Sequence, residues 1–103
     1  MGDKRKKAYE ESSLPYSFVY KIRAEFWNKK CPICNSTMKV GEFGDKSRIP
    51  TVQHNLPISM GGKHELGNIS VICKKCNISL QDTITPKLNA DEVNFLWQKM
   101  CNG

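Results

Sequence analysis

The chain lacks any long apolar stretch. No run approaches the roughly 18 consecutive apolar residues that a membrane-spanning helix needs, so we expect no membrane span. An apolar signal segment is also missing, which gives no indication of secretion into an oxidising compartment. We therefore expect an intracellular protein, either cytoplasmic or nuclear, and include a phage- or virus-encoded protein in that expectation.

Apolar residues are modest in number, and no repeat or low-complexity segment is present. They make up 39% of the 103 residues, which suits one domain because two separate cores would be too small to hold together. A metal cross-link would add stability to a core of this size. We expect a single domain over residues 14–103.

Acidic residues are outnumbered by basic ones. Ten Asp and Glu residues against 16 Lys and Arg residues give a formal net charge of +6. This excess favours a polyanionic partner, and nucleic acid is the commonest one. The densest basic run, residues 4–7, lies in a polar stretch over residues 1–13, which we expect to form a flexible basic arm. The run would add sequence-independent phosphate affinity or serve as a nuclear address.

Cysteine is well represented, and four of the five cysteines form two Cys-x-x-Cys pairs. This spacing is typical of a knuckle that directs two sulfurs at one tetrahedral ion. A single zinc held by both pairs would close a long loop over residues 35–72. Two disulfides or four unrelated thiols are the alternatives, and the missing secretion signal weakens the disulfide option. Cys101 lies outside the pairs and is expected to be a spare thiol. The predicted zinc ligands are Cys31, Cys34, Cys73 and Cys76.

Between the cysteine pairs the sequence pattern favours strands. Residues 48–54 contain β-branched residues and predict a short strand that ends at His54. Residues 55–67 are rich in turn formers and predict a surface loop. Residues 68–72 predict a second strand, and residues 73–81 predict a short helix. The central region therefore reads as strand, loop, strand and helix.

Helical patterns lie on both sides of this region. In residues 17–28 apolar side chains recur at helical spacing, which predicts an amphipathic helix. A second helix is predicted from Asn89, with Asn89 as the N-cap and Glu92 completing a capping box. The predicted fold class is α+β, with a zinc-stapled hairpin and helix between N- and C-terminal helices. The apolar residues of the first helix include Val19, Ile22 and Phe26.

Several residues of the central region resemble the signature of the HNH nuclease family. That signature runs His, Pro, Gly-Gly, Asn-Leu and Cys-x-x-Cys-Asn. The resemblance covers about residues 31–81, half of the chain, and includes the Cys-x-x-Cys knuckles that many HNH proteins carry. It implies the ββα-metal fold, in which a two-stranded hairpin is followed by a helix. The matching residues are His54, Pro57, Gly61, Gly62, Asn68, Ile69, Cys73, Cys76 and Asn77.

The resemblance also implies a role for three polar residues. His54 would be the general base, because an imidazole with an ordinary pKa near 6.5 can accept a proton at neutral pH. Asn68 would brace the loop with side-chain hydrogen bonds. Asn77 would help to bind a catalytic Mg²⁺ or Mn²⁺, since hard cations prefer oxygen ligands. Without the family motif, the same three residues would read as a structural histidine, a turn residue and a knuckle cap.

Gln53 departs from the family pattern. The family commonly has an Asp here as a charged ligand of the catalytic ion, and a neutral amide oxygen is a weaker ligand. Asp45 or Asp82 could compensate, which leaves the catalytic activity of the chain open. His64 is expected to be a solvated loop residue or a phosphate contact outside the active site.

We expect a metal-dependent HNH endonuclease that hydrolyses double-stranded DNA, with structural zinc and catalytic Mg²⁺ or Mn²⁺. The alternative is a catalytically inactive zinc-binding module that holds nucleic acid or a partner protein. A positioned His54 together with Asn77 separates the two, because a binding module does not need that pair. The predicted phosphate contacts are Arg48, Lys63, Lys74 and Lys75.

Overall fold

A computed structural model of the chain describes residues 16–102. The predicted basic arm, residues 1–13, lies outside the described residues. Two short 3₁₀ turns, Glu42–Gly44 and Ile58–Met60, interrupt the loops. In chain order the main elements are α1 (Tyr16–Glu25), β1 (Pro50–His54), β2 (Ile69–Cys73), α2 (Lys74–Ser79) and α3 (Ala90–Asn102).

The two strands form an antiparallel hairpin. Pro50 is opposite Cys73 at one end, and His54 is opposite Ile69 at the other. Helix α2 begins directly after β2, which completes the strand, loop, strand and helix order expected from the sequence. The α+β class and the two-stranded hairpin are therefore confirmed, with strand limits within two residues of the predicted ones.

Helix α1 packs on the hairpin through one apolar stripe. Phe18, Ile22 and Phe26 recur every four residues, and all are almost fully buried. They form one core cluster with β2 and with Val93 of α3. The helix ends at Glu25, three residues before the predicted limit. Just beyond it, Asn28 adopts a left-handed conformation with φ 68°.

Asn89 precedes α3 but does not cap it with its side chain. Its Oδ1 accepts a hydrogen bond from the Val71 N–H at 2.7 Å, and its Nδ2 donates to the Val71 carbonyl at 2.8 Å. The Asn89 side-chain amide therefore makes the two hydrogen bonds that a neighbouring strand would make. They lie on the edge of β2 that is not paired with β1. The predicted capping role of the Asn89 side chain is wrong, although the helix begins at the next residue.

None of the helices within residues 16–102 has both the length and the apolar character needed to cross a membrane.

Candidate metal centre and histidine site

The two Cys-x-x-Cys pairs converge at the end of the hairpin where β2 meets α2. Their four Sγ atoms all lie within 4.8 Å of one another, and Cys34 Sγ is 3.7 Å from Cys73 Sγ. A tetrahedral zinc with Zn–S bonds near 2.3 Å places its sulfurs about 3.8 Å apart. All five cysteines have free thiols. The cluster fits a single zinc ion, and the disulfide alternative does not describe it.

Backbone hydrogen bonds close the turn between the two cysteines of the first pair. In the first knuckle the Cys31 N–H donates to the Ser36 carbonyl, and the Asn35 N–H donates back to the Cys31 carbonyl, both at 2.8 Å. Asn35 has a left-handed φ of 61°, which lets the chain reverse here. The two knuckles meet directly, because the Cys73 N–H donates to Cys31 Sγ at 3.5 Å.

Arg48 lies against the sulfur cluster. Its Nη1 donates to Cys34 Sγ at 3.1 Å and approaches Cys73 Sγ at 3.7 Å. A guanidinium in this position favours the thiolate form that a metal requires. The sequence predicts a phosphate contact for Arg48. In the structure its side chain contacts sulfur, and its contact with nucleic acid stays a prediction.

The thiols of the cluster differ in acidity. Burial opposes ionisation of Cys34, but hydrogen bonds from Ser36 and the neighbouring thiols outweigh it and lower the pKa of Cys34 to about 6. Burial raises the pKa of the Cys76 thiol, and its cysteine neighbours raise it further. Four sulfurs this close cannot all ionise without a cation, since like charges at such distances repel. The cluster is therefore suited to a divalent metal.

At the opposite end of the hairpin, two histidines meet. His54 Nε2 lies 3.0 Å from His64 Nδ1, and the rings are inclined by 63°. His64 is only 1% exposed, and this burial lowers its pKa, which favours the neutral imidazole. The expectation that His64 is a solvated loop residue is wrong, because the loop folds it inward onto His54.

A tight loop with two glycines brings His64 to this position. Gly61 has φ 92°, in the region that favours glycine. The Gly62 N–H donates to the Pro57 carbonyl at 2.9 Å, and a Cβ on Gly62 would lie only 1.8 Å from the Leu56 carbonyl oxygen. The Gly-Gly pair is therefore a steric requirement of the loop.

Asn68 crosses the same loop with its side chain. Its Oδ1 accepts from the Leu56 N–H at 2.8 Å, and its Nδ2 donates to the Leu56 carbonyl at 3.1 Å and to the Lys63 carbonyl at 2.8 Å. These bonds fasten the start of the loop to the residue just before His64. The bracing geometry is present, and the effect of Asn68 on catalysis stays a prediction.

Asn77 projects from α2 towards β1. Its Nδ2 donates to Thr51 Oγ1 and to the Val52 carbonyl, each at 2.9 Å. Both amide hydrogens are thereby used, and within residues 16–102 its Oδ1 accepts no hydrogen bond. Because side chains alternate along a strand, Gln53 lies on the same face of β1 as Thr51. Gln53 is 6% exposed. Gln53 therefore lies on the face of β1 that Asn77 contacts, and the binding of an ion by these two residues stays a prediction.

The two carboxylates that could replace the usual acid have other partners. Asp45 accepts hydrogen bonds at 3.0 Å from the N–H and the hydroxyl of Ser47, which lower the pKa of its carboxyl. Asp82 Oδ1 accepts from Ser59 Oγ at 2.7 Å and joins the end of α2 to the loop. Compensation for Gln53 by either residue stays untested.

Basic side chains surround the first turn of α2. Lys74 and Lys75 are exposed and line a shallow cleft with Lys46. Backbone hydrogen bonds from Lys74 and Lys75 to the segment before β1 hold this turn in place. Lys63 is exposed on the loop. These lysines are accessible to a partner molecule, and their contact with nucleic acid stays a prediction.

Comparison with known families agrees with this geometry. A sequence model of the HNH endonuclease family matches residues 31–92, a span that includes the sulfur cluster, both histidines, Asn68 and Asn77. The chain therefore belongs to the HNH endonuclease family. A search of curated proteins and a search of solved structures each returned no match.

Sequence reasoning missed His64 as part of the site. The signal was the closed loop itself: Gly61 and Gly62 reverse the chain, and Asn68 begins the return to β2. A residue between those points must come back towards the end of β1, where His54 lies. The chain has only two histidines, and their placement at the two sides of this chain reversal, one at the end of β1 and one in the loop, was the available indication.

Proposed function

We propose that the protein is a metal-dependent endonuclease that hydrolyses phosphodiester bonds of double-stranded DNA, with His54 as the general base. The observation that carries the proposal is the anchored His54 imidazole, 3.0 Å from His64, at the end of the hairpin that packs against α2. Membership of the HNH endonuclease family supports nuclease chemistry on nucleic acid. A module that only binds has no need to orient an imidazole in this way.

The proposed reaction needs a base, a cation and a fixed substrate position. His54 accepts the proton of the attacking water. Asn77 and Gln53 would hold the Mg²⁺ or Mn²⁺, with water and phosphate oxygens completing its shell. When bound, this ion would neutralise the charge that develops on the phosphate. Two neutral amide oxygens fit a hard cation, although with lower affinity than a carboxylate would give.

Zinc and DNA would be bound by different residues. The four cysteines hold zinc as a structural ion, since a Cys₄ site has no open position for substrate. The DNA backbone is contacted by four basic residues, Arg48, Lys63, Lys74 and Lys75. We further propose one nuclease domain over residues 14–103, with residues 1–13 as a basic arm that adds salt-sensitive affinity.

A plasmid-cleavage assay tests this function. Zinc-loaded protein is incubated with supercoiled DNA and Mg²⁺, Mn²⁺ or EDTA, and nicked and linear products are separated on a gel. We expect cleavage with a divalent ion and none with EDTA. A zinc-containing preparation that cuts DNA with neither ion would contradict the proposal.

The second candidate is a zinc-binding module without catalysis, and Gln53 is the observation that favours it. Gln53→Asp separates the two candidates. If the protein is a nuclease with a weak ion site, this change lowers the Mg²⁺ concentration needed for half-maximal cleavage, by about tenfold for a 1.4 kcal/mol gain in ion binding. Gln53→Asn is the matched control, because it shortens the side chain by the same amount without adding charge.

A further inference from the structure

Two acceptors of β1 hold the side-chain amide of Asn77 in one orientation. Its Nδ2 donates to Thr51 Oγ1 and to the Val52 carbonyl, each at 2.9 Å, a normal hydrogen-bond distance. The oxygen and the nitrogen of an asparagine amide are nearly alike in size, so their hydrogen-bond partners decide which atom points where. The chemistry of these two acceptors therefore determines the direction of the Asn77 oxygen.

The Thr51 hydroxyl can only accept from Asn77. A hydroxyl has one hydrogen, and Thr51 Oγ1 donates it across the hairpin to the Ile72 carbonyl at 2.9 Å. Because a carbonyl oxygen cannot donate, the hydrogen of that contact must come from Thr51. What Oγ1 offers to Asn77 is a lone pair, and the group that faces a lone pair must be an N–H.

An inverted Asn77 amide would bring oxygen against oxygen. If Oδ1 and Nδ2 exchanged places, Oδ1 would lie 2.9 Å from the Val52 carbonyl oxygen and next to the Thr51 lone pair, and both hydrogen bonds would be lost. Asn77 is half-buried, and its Oδ1 is not one of the buried polar atoms that lack a partner. The oxygen is thus turned away from the two acceptors and is open to solvent.

We propose that Thr51 is a positioning residue for Asn77: its hydroxyl, whose hydrogen is committed to β2, accepts from the amide nitrogen and leaves the amide oxygen as the atom offered to the catalytic divalent ion. The inference rests on the proposed nuclease function, in which Asn77 binds Mg²⁺ or Mn²⁺. Groups that hydrogen-bond a metal ligand set its orientation and the affinity of the site. Thr51 would do so while also joining the two strands.

Manganese binding to the zinc-loaded chain tests the proposal without an activity measurement. Mn²⁺ is titrated into each variant, and free Mn²⁺ is measured from its electron paramagnetic resonance signal. Thr51→Val keeps the shape of the side chain but removes the hydroxyl, and we expect the Kd for Mn²⁺ to rise about tenfold. Thr51→Ser keeps the hydroxyl and should stay within about twofold of the wild type. Equal Kd values for the wild type and Thr51→Val would overturn the inference.

NMR of the Asn77 side-chain amide in the wild type is the second measurement, and it requires no variant to fold. Both Nδ2 hydrogens should exchange with water more slowly than those of Asn28, which is exposed. A coupling through the hydrogen bond should connect Nδ2 to the Val52 carbonyl carbon. When Mg²⁺ is added, the Asn77 Cγ signal should shift while this coupling remains. Fast exchange of either hydrogen, or loss of the coupling with Mg²⁺, would overturn the inference.

Two further variants separate the role of Thr51 from the ion site itself. Asn77→Ala removes the proposed ligand and should weaken Mn²⁺ binding at least as much as Thr51→Val. No Mn²⁺ binding by the wild type, or binding that Asn77→Ala leaves unchanged, would contradict the ion site of the proposed function. Weaker binding in Asn77→Ala together with wild-type binding in Thr51→Val would overturn this inference alone.

Thr83→Val is the matched control, because Thr83 is exposed and outside the hairpin. It makes the same chemical change as Thr51→Val and should bind Mn²⁺ like the wild type. Zinc content and thermal unfolding are measured for every variant. If Thr51→Val does not fold, the wild-type NMR result decides.

Discussion

The two ends of the β1–β2 hairpin differ in chemistry although they share the same two strands. At the Pro50–Cys73 end, four sulfurs lie within 4.8 Å of one another. At the His54–Ile69 end, two imidazoles lie 3.0 Å apart. Four residue steps of about 3.3 Å put the two ends of β1 about 13 Å apart. The candidate zinc site and the proposed base thus lie at opposite ends of one hairpin, without contact.

The two ends also differ in how they are stabilised. The sulfur end offers four ligands for one ion, and zinc bound there would contribute directly to folding. The histidine end depends on hydrogen bonds to the loop backbone and on the small size of Gly62. Substitutions at the sulfur end should therefore unfold the domain. Substitutions at the histidine end should abolish activity and leave most of the fold intact.

The largest effect is expected at the sulfur end. Cys73→Ser removes one of the four zinc ligands and should abolish the cooperative thermal unfolding seen by circular dichroism. Structural zinc contributes about 10–16 kcal/mol of apparent binding free energy in small zinc domains. Cys101→Ser is the matched control, because Cys101 is exposed and outside the cluster. If a strong chelator leaves the unfolding transition unchanged, the proposal that zinc stabilises the fold is wrong.

A smaller effect is expected from the loop at the histidine end. Gly62→Ala puts a Cβ where the Leu56 carbonyl oxygen lies, so the loop must shift. We expect a loss of about 1–3 kcal/mol in the free energy of unfolding and a large loss of cleavage, with zinc content unchanged.

Gly67→Ala is the control for that substitution. Gly67 has φ 87° but open space around its Cβ position, so only backbone strain is added. Chemical denaturation of both variants gives the comparison. Equal destabilisation would mean that the close approach at Gly62 is not what shapes the loop.

The smallest effect is the pH dependence that His64 adds to stability. Burial lowers its folded-state pKa below the ordinary value near 6.5. The unfolded chain therefore binds a proton first, and stability is lost as pH falls below about 6.5, at no more than about 1.4 kcal/mol per pH unit. Zinc-saturated wild type and His64→Asn are compared by denaturation between pH 7.5 and about pH 5.5. The same slope in both would contradict the buried, neutral ring.

The sequence predicted the sulfur end more completely than the histidine end. Cys-x-x-Cys spacing is a local property, and the short knuckle it forms needs no information from distant residues. The hairpin and α2 followed from local patterns for the same reason. The burial of His64 and the pairing of Asn89 with Val71 depend on tertiary contacts, which compete with the loop and capping roles that those residues have locally.

If the two ends of the hairpin serve folding and catalysis separately, His54→Ala should remove one function and keep the other. The rate of DNA cleavage and the zinc content are measured on the same preparation of this variant and of the wild type. We predict that the rate falls by about 10²- to 10⁴-fold, while zinc stays near one per chain and DNA binding is little changed. Cleavage at the wild-type rate, or loss of zinc together with activity, would contradict the account.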